Sequence, residues 1–289
     1  MAIAEPTVAP RVNLLNVEQM AQFVFDGFLE FSDLVPDDLN EMVHADLLKT
    51  VGADGLEPAY RWHITDNPHG FYEESSAVRE VHALPSVQGV LQSLLGPGHV
   101  GSHSAVHATW PNQVEAQKWH VDGGGRRQVR LPKVHPYSFD ILTAYFPHDT
   151  PYEMGPTLVL PGSHMRSVLG NDISRYKNIV GQKRLSGPGG RLVFMHEALW
   201  HCAQTNQTDQ WRFMFKIRYN PRVPQRGLFD TGGWDNDAMR RFFRTNKGAH
   251  SLTGESPAVV TERANWWRYL CNADELDDPS GTGGHGDNA

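Results

Sequence analysis

The sequence predicts a mainly β core, a sandwich or barrel, braced by helices in its first third. Two patterns point there. Residues 16–98 space their apolar side chains helically, whereas from about residue 99 short β-branched and aromatic runs alternate with Gly, Pro and Asn. No regular strand–helix alternation follows, which disfavours a parallel α/β sheet. At 289 residues with 39% hydrophobic content, the chain has ample material for a buried core and is too apolar for disorder.

Each element has a local cause. Pro6 and Pro10 interrupt residues 1–15, which read as a flexible arm. Asn16 is suited to cap a helix over Val17 to Phe25, and Asp26-Gly27 ends it before a short strand, Phe28 to Phe31. Pro36 suits a first helical position, Asp37 and Asp38 complement the dipole, and Leu39, Met42, Val43 and Leu47 carry the helix to about Thr50. A further helix runs from Pro85 to the breaker Gly96-Pro97-Gly98. The expected strands are 99–109, 114–121, 137–147, 156–160, 191–195, 199–204 and 211–219. In the last, Phe213, Phe215, Ile217 and Tyr219 share one face, and Arg212, Met214, Lys216 and Arg218 share the other. That pattern suits a strand with its apolar side against helices and its polar side towards a lumen. Helical pieces follow at Trp234 to Phe243 and Pro257 to Leu270. The organisation is thus an arm (1–15), one domain (16–271, helical over 16–98) and a disordered tail (272–289).

Composition removes several functions. A net charge of −7 argues against nucleic acid as the main partner. Cys202 and Cys271 are too few for a disulfide framework or a four-cysteine zinc site. No apolar run is long enough to span a membrane, and Met1 to Asn16 lacks a secretory pattern. The expectation is a soluble cytoplasmic protein acting on a small molecule, with no nucleic-acid or membrane partner and an open oligomeric state.

Fifteen histidines are the unusual feature. His-x-Asp occurs three times, where composition alone predicts about one. His44-Ala45-Asp46 lies in an expected helix, where such residues diverge, and His285-Gly286-Asp287 lies in the tail. His120-Val121-Asp122 sits in strand context, at the end of the expected strand 114–121, where positions two apart face the same way, and precedes Gly123-Gly124-Gly125. With one more histidine this makes a facial triad, an arrangement suited to Fe(II) because it leaves positions open. Alone, it reads equally as a surface turn. A second stretch, Gly187 to His201, gives a glycine turn, a hydrophobic strand and a histidine at the lumen. Eleven residues on, Arg212 faces inward, where its planar fork suits a carboxylate. Glu153 to His164, containing Gly155-Pro156-Thr157 and Pro161-Gly162-Ser163-His164, shows only a hairpin.

In this order, His120-Val121-Asp122, Gly155-Pro156-Thr157 through Pro161-Gly162-Ser163-His164, His201 and Arg212 resemble the phytanoyl-CoA dioxygenase family over about residues 20–222. The resemblance implies a double-stranded β-helix (jelly-roll, cupin-like) core and an Fe(II)/2-oxoglutarate-dependent dioxygenase consuming O₂. It implies that His120, Asp122 and His201 hold iron, and that Arg212 binds the distal carboxylate of 2-oxoglutarate. Gln117 and Thr157 match 2-oxoglutarate contacts of the natural-product branch, which points to a secondary metabolite as substrate. Ala203 stands where some members have serine, and Tyr145 lies where many have tryptophan nearby. Asp122 fills the position that halogenating relatives leave small. The expected outcome is hydroxylation, with succinate and CO₂ as co-products. The alternatives are a cupin-like metal-dependent isomerase or hydrolase without 2-oxoglutarate, and a non-catalytic jelly-roll binding protein. His164, His196 and Cys202 read as structural, Arg126, Arg127, Arg130 and Lys133 as a solvated loop, and Lys216 and Arg218 as weak candidates for substrate contact.

Overall fold

The computed structural model describes residues 13–51, 70–122, 137–166, 170–245 and 256–273. Helix α1 (Val17–Asp26) starts where Asn16 and Gln19 cap each other: the Asn16 side chain accepts from the Gln19 amide, and the Gln19 side chain accepts from the Asn16 amide. It ends at Gly27, whose left-handed conformation (φ 79°) turns the chain into β1 (Phe28–Phe31). Then come α2 (Asp37–Val51), α3 (Gly70–Glu74), α4 (Ser76–Ala83), α5 (Pro85–Leu95), β2 (Val100–Thr109), β3 (Ile141–Phe146) and β4 (Leu158–Val159). The remainder is α6 (Gly170–Ile173), β5 (Lys183–Arg184), β6 (Arg191–His196), β7 (His201–Cys202), β8 (Arg212–Asn220), α7 (Asp237–Thr245) and α8 (Pro257–Leu270).

Two antiparallel sheets form the β layers: β1-β6-β3-β8-β2, and β5-β4-β7. Period-two alternation along β8 decides which side meets what. Phe213, Phe215, Ile217 and Tyr219 join the large core shared with the helices, alongside Phe23, Val43, Val78, Leu91 and Trp266. Met214 points the other way. It packs with Leu142 and Ala144 of β3, Val193 and Met195 of β6 and Val159 of β4, in a cluster spanning both sheets. The even-numbered face of β8 is therefore the inner face, and Arg212, Lys216 and Arg218 share it. A jelly-roll sandwich with helices outside one sheet is the result.

The helix ends foreseen at Asn16, Gly27, Pro85, Gly96 and Pro257 are the ends found. Other expectations need correction. Residues 114–121 form no strand beyond an isolated bridge at His120, because the segment meets 201–203 only at Gln117 and His120, and Val114 is 86% exposed. The strand expected over 199–204 shortens to His201–Cys202, and that over 156–160 to Leu158–Val159. The helix expected from Trp234 begins at Asp237, after the left-handed Gly233, with the Asn236 side chain accepting from the Met239 amide at 2.9 Å. Helices α3 and α4, and strand β5, have no counterpart in the sequence reading. Leu15, assigned there to the arm, is buried, and its amide donates to Ser93 Oγ at 2.9 Å. Residues 1–12, 123–136 and 274–289 lie outside the described residues, and with them Gly123 to Gly125, Arg126, Arg127, Arg130, Lys133 and His285.

One turn fixes the approach to the inner chamber. Gly155 closes the single helical turn Tyr152–Met154 at φ 70° and leads through Pro156 to Thr157. A β-carbon there would collide with the Thr205 carbonyl, on the irregular segment after β7. Gly155→Ala combines left-handed strain with that collision, a cost of about 2 kcal/mol or more. The expected outcome is a melting temperature lower by roughly 4–8 °C in a thermal denaturation scan.

Candidate metal centre

His120 and His201 meet through their backbones before their side chains matter. Each amide donates to the other's carbonyl at 3.0 Å, a closed pair that sets the two residues side by side. Their rings stand 4.3 Å apart between centroids. In each residue Nδ1 lies near the carbonyl two residues earlier, Lys118 O at 2.9 Å for His120 and Leu199 O at 3.0 Å for His201. A carbonyl can only accept, so Nδ1 carries the proton and Nε2 keeps its lone pair. Asp122 follows in a turn and not in the expected strand. Its Oδ1 is 3.6 Å from His120 Nε2 and its Oδ2 3.7 Å from His201 Nε2.

One ligand atom from each residue lies within 4.8 Å of the others. Two ligands each about 2.1 Å from an ion lie roughly 3–4 Å apart, so these three donors fit a single ion. Two neutral imidazoles and one carboxylate suit a first-row transition metal with coordination positions left open.

Charge at the cluster is arranged around Asp122. Burial would raise its carboxyl pKa, but His201, Lys216 and His120 together hold it well below the usual carboxylate range. Lys216 Nζ sits 2.5 Å from Oδ2, with its side chain only 9% exposed. Burial, reinforced by the neighbouring His120, pushes His201 down to about 4, so it is a neutral ligand at pH 7.

Arg212 lies deeper on the same face of β8. It is 1% exposed, and burial pulls its pKa only to about 10, so it stays cationic at neutral pH. Nε and Nη2 donate to Thr109 Oγ1 at 3.2 and 2.6 Å, and Nη1 donates to Thr157 Oγ1 at 3.3 Å. Among the described residues no carboxylate lies within 4 Å of it. Arg212, Thr157, Gln117, His120, His201 and Lys216 line one enclosed chamber, with His107, Met195, Ala203 and Met214. Gln117 is pinned at the edge: its amide donates to Ala203 O at 2.8 Å, and its Oε1 accepts from Ala203 N at 3.1 Å. The chamber adjoins a wider cleft lined by His103, Leu142, Asp122 and Arg218, as well as His107, Gln117, His120 and Lys216.

Other residues noted in the sequence fall elsewhere. His164 and His196 pack in the core against each other and Trp266 in tilted and edge-on contacts, with ring centroids 5.2–5.8 Å apart. Cys202 is buried, and burial raises its thiol to about 12, so it is not a thiolate. Arg218 lines the cleft but is heavily paired: with Asp140 at 2.6 Å, with Glu197 at 3.1 Å, and with the Asp122 carbonyl at 3.2 Å. Sequence reasoning missed Thr109, which holds Arg212 from the paired position across β2 and β8. It also missed the Lys216–Asp122 pair. Strand parity gave Lys216 the right face, but its partner is 94 residues away.

A family model described as phytanoyl-CoA dioxygenase (PhyH) matches residues 26–214. The L-proline trans-4-hydroxylase of Streptomyces griseoviridis is 28% identical over 195 residues, covering 51% of this chain and 69% of that protein. HygX from Streptomyces hygroscopicus, solved with nickel and 2-oxoglutarate, superposes with a TM-score of 0.58 at 16% identity, over 72% of this chain and 88% of its own. EctD from S. alaskensis, solved with 2-oxoglutarate and 5-hydroxyectoine, gives 0.55 at 18% identity, over 75% and 82%. Likeness at these identities establishes the shared fold. No helix among the described residues is long and apolar enough to cross a membrane.

Buried titrating groups make the metal-free protein sensitive to acid. Burial lowers His82 to about 3, and His148 and His201 to about 4. The unfolded chain protonates these imidazoles near pH 6.5, so it binds more protons than the folded chain as pH falls from 6.5 towards 4, and stability drops. Glu197, raised to about 7 by burial and then by Asp140, opposes this: its contribution is present at low pH and lost as pH rises through 7. For these four groups the net is about two protons, a slope of about 3 kcal/mol per pH unit near pH 5; burial also lowers His44 and His99, which adds to it, and raises Asp26, which opposes it. Urea unfolding of the metal-free protein between pH 4.5 and 6.5 should show the midpoint rising with pH.

Proposed function

The chain belongs to the phytanoyl-CoA dioxygenase family, and from that premise we propose that it hydroxylates a small-molecule metabolite and releases succinate and CO₂. It is an oxidoreductase of the Fe(II)/2-oxoglutarate-dependent dioxygenase type, with Fe(II), 2-oxoglutarate and O₂ as its cofactor and co-substrates. In this reading His120, Asp122 and His201 hold the iron, and Arg212, Thr157 and Gln117 receive 2-oxoglutarate. Arg212 carries the argument. It is a buried cation without a described carboxylate partner, and it faces the chamber of the two histidines. A charge so placed is costly unless an anion completes it. An isomerase or hydrolase using the same metal ligands but no 2-oxoglutarate leaves that arginine without a task.

When bound, iron with 2-oxoglutarate activates O₂, so that one oxygen atom enters a substrate C–H bond and the other enters succinate as CO₂ leaves. The protein's share is positional. The hydrogen bonds from Nδ1 to Lys118 O and Leu199 O keep both imidazoles in the tautomer that offers Nε2. Thr109 holds Nε and Nη2 of Arg212, leaving Nη1, shared with Thr157, as the guanidinium edge nearest the chamber. The apolar walls Met195, Met214 and Ala203 limit water beside the metal. The named activity of the proline hydroxylase relative supports hydroxylation of a small, polar, carboxylate-bearing molecule.

Incubation with Fe(II), O₂ and 2-oxoglutarate tests the reading through succinate release. The wild-type chain should turn over 2-oxoglutarate, slowly without substrate, and His120→Ala and His201→Ala should each abolish turnover and weaken Fe(II) binding at least about 100-fold. Arg212→Ala removes one charged pair, about 2–3 kcal/mol, and should raise the concentration of 2-oxoglutarate needed by about 30- to 150-fold while Fe(II) binding persists. Turnover unchanged in Arg212→Ala removes the role given to that residue.

A further inference from the structure

The inner face of β8 carries three cations, and their surroundings differ. Arg212 has no described acid partner and is assigned to 2-oxoglutarate. Arg218 is matched internally by Asp140 and Glu197. Lys216 lies between them, and among the described residues its one acid partner within 4 Å is Asp122. That carboxylate is also a proposed metal ligand. Once it coordinates a dication its charge is shared, and one Asp122 no longer balances both an Fe(II) and Lys216.

The formal charges of Fe(II), Asp122, Lys216 and Arg212 sum to about +3, and the dianion of 2-oxoglutarate brings this to about +1. The excess lies on a lysine that is nearly buried, where an uncompensated ammonium is expensive. Lys216 also lines both the enclosed chamber and the wider cleft, so its head group stands where a second ligand would approach the metal. With Arg218 taken up by Asp140 and Glu197, Lys216 is the one cation of this face left to meet a second ligand, and a single ammonium matches a monoanion better than a phosphate dianion, which would call for more donors.

Resting on the function proposed above, we infer that Lys216 is the anchor for a carboxylate on the substrate, and that the enzyme acts on a small carboxylic acid. Because Nζ lies against an oxygen of Asp122, the anchored carboxylate sits close to the metal, and the oxidised carbon lies only a few bonds from it. Lys216 therefore sets both substrate class and regiochemistry.

The test uses full-length protein loaded anaerobically with Fe(II) and 2-oxoglutarate, titrated by calorimetry with the protein amino acids and their carboxamides as matched pairs. Wild type should bind at least one acid about tenfold or more tighter than its amide. Lys216→Met should lose that preference while its affinity for 2-oxoglutarate changes by less than about threefold, and Lys216→Arg should keep it. Absence of any acid preferred over its amide in wild type overturns the inference, as does a preference that survives Lys216→Met. Loss of 2-oxoglutarate binding in Lys216→Met instead assigns the lysine to the co-substrate and also overturns it. Failure of the underlying reading shows separately, as wild-type protein that takes up no 2-oxoglutarate with Fe(II) in the preceding titration. Lys216→Arg, which keeps the charge, guards against a folding defect in Lys216→Met.

Discussion

The site depends on two backbone hydrogen bonds. The reciprocal pair between His120 and His201 joins the end of an irregular segment to the short strand β7, and brings together two imidazoles 81 positions apart in sequence. Everything chemical follows from that closure. With the backbones locked, each ring needs only its Nδ1–carbonyl bond to aim Nε2 inward, and a turn of two residues supplies the carboxylate. The pairing is made by main-chain atoms, so it constrains side-chain identity little. The histidines are free to be chosen for coordination.

Around that closure, β8 distributes positive charge along one inner face while its opposite face anchors the helices. Alternation does both jobs with one strand. Phe213, Phe215, Ile217 and Tyr219 bury against α-helical side chains, and the residues between them reach the chamber and cleft. Packing on one side therefore fixes the depth of the cations on the other. Arg212 is further restrained by Thr109 across the β2–β8 pair, and Arg218 by Asp140 and Glu197, which precede β3 and follow β6. The Arg218 network also reaches the Asp122 carbonyl, so it steadies the turn that carries the third donor.

Local signals were legible in the sequence, and distant pairings were not. Asn16, Gly27, Pro85, Gly96 and Pro257 each act within a few residues, and the helices they bound are where the pattern puts them. Helix α4 escaped notice although Ser75 caps it and Ala77, Val78, Val81 and His82 face the core, because its short apolar repeat contains Arg79 and Glu80. Strand β5 is the two charged residues Lys183 and Arg184, which carry no β pattern and are ordered by pairing with β4. At the site, parity gave the inward face of Arg212 and Lys216, and the family likeness grouped His120, Asp122 and His201. Neither gives register between strands. The Thr109 hydroxyl on Arg212 and the grip of Lys216 on Asp122 therefore emerge only from the folded chain.

The central claim is that three side chains converge on one ion. Crystals grown with Ni(II) and 2-oxoglutarate, measured at the nickel absorption edge, test it directly. The account predicts one anomalous peak per chain, within about 2.0–2.2 Å of His120 Nε2, His201 Nε2 and an Asp122 oxygen. A peak bound elsewhere, or none at the cluster with Lys216 still paired to Asp122, would contradict it.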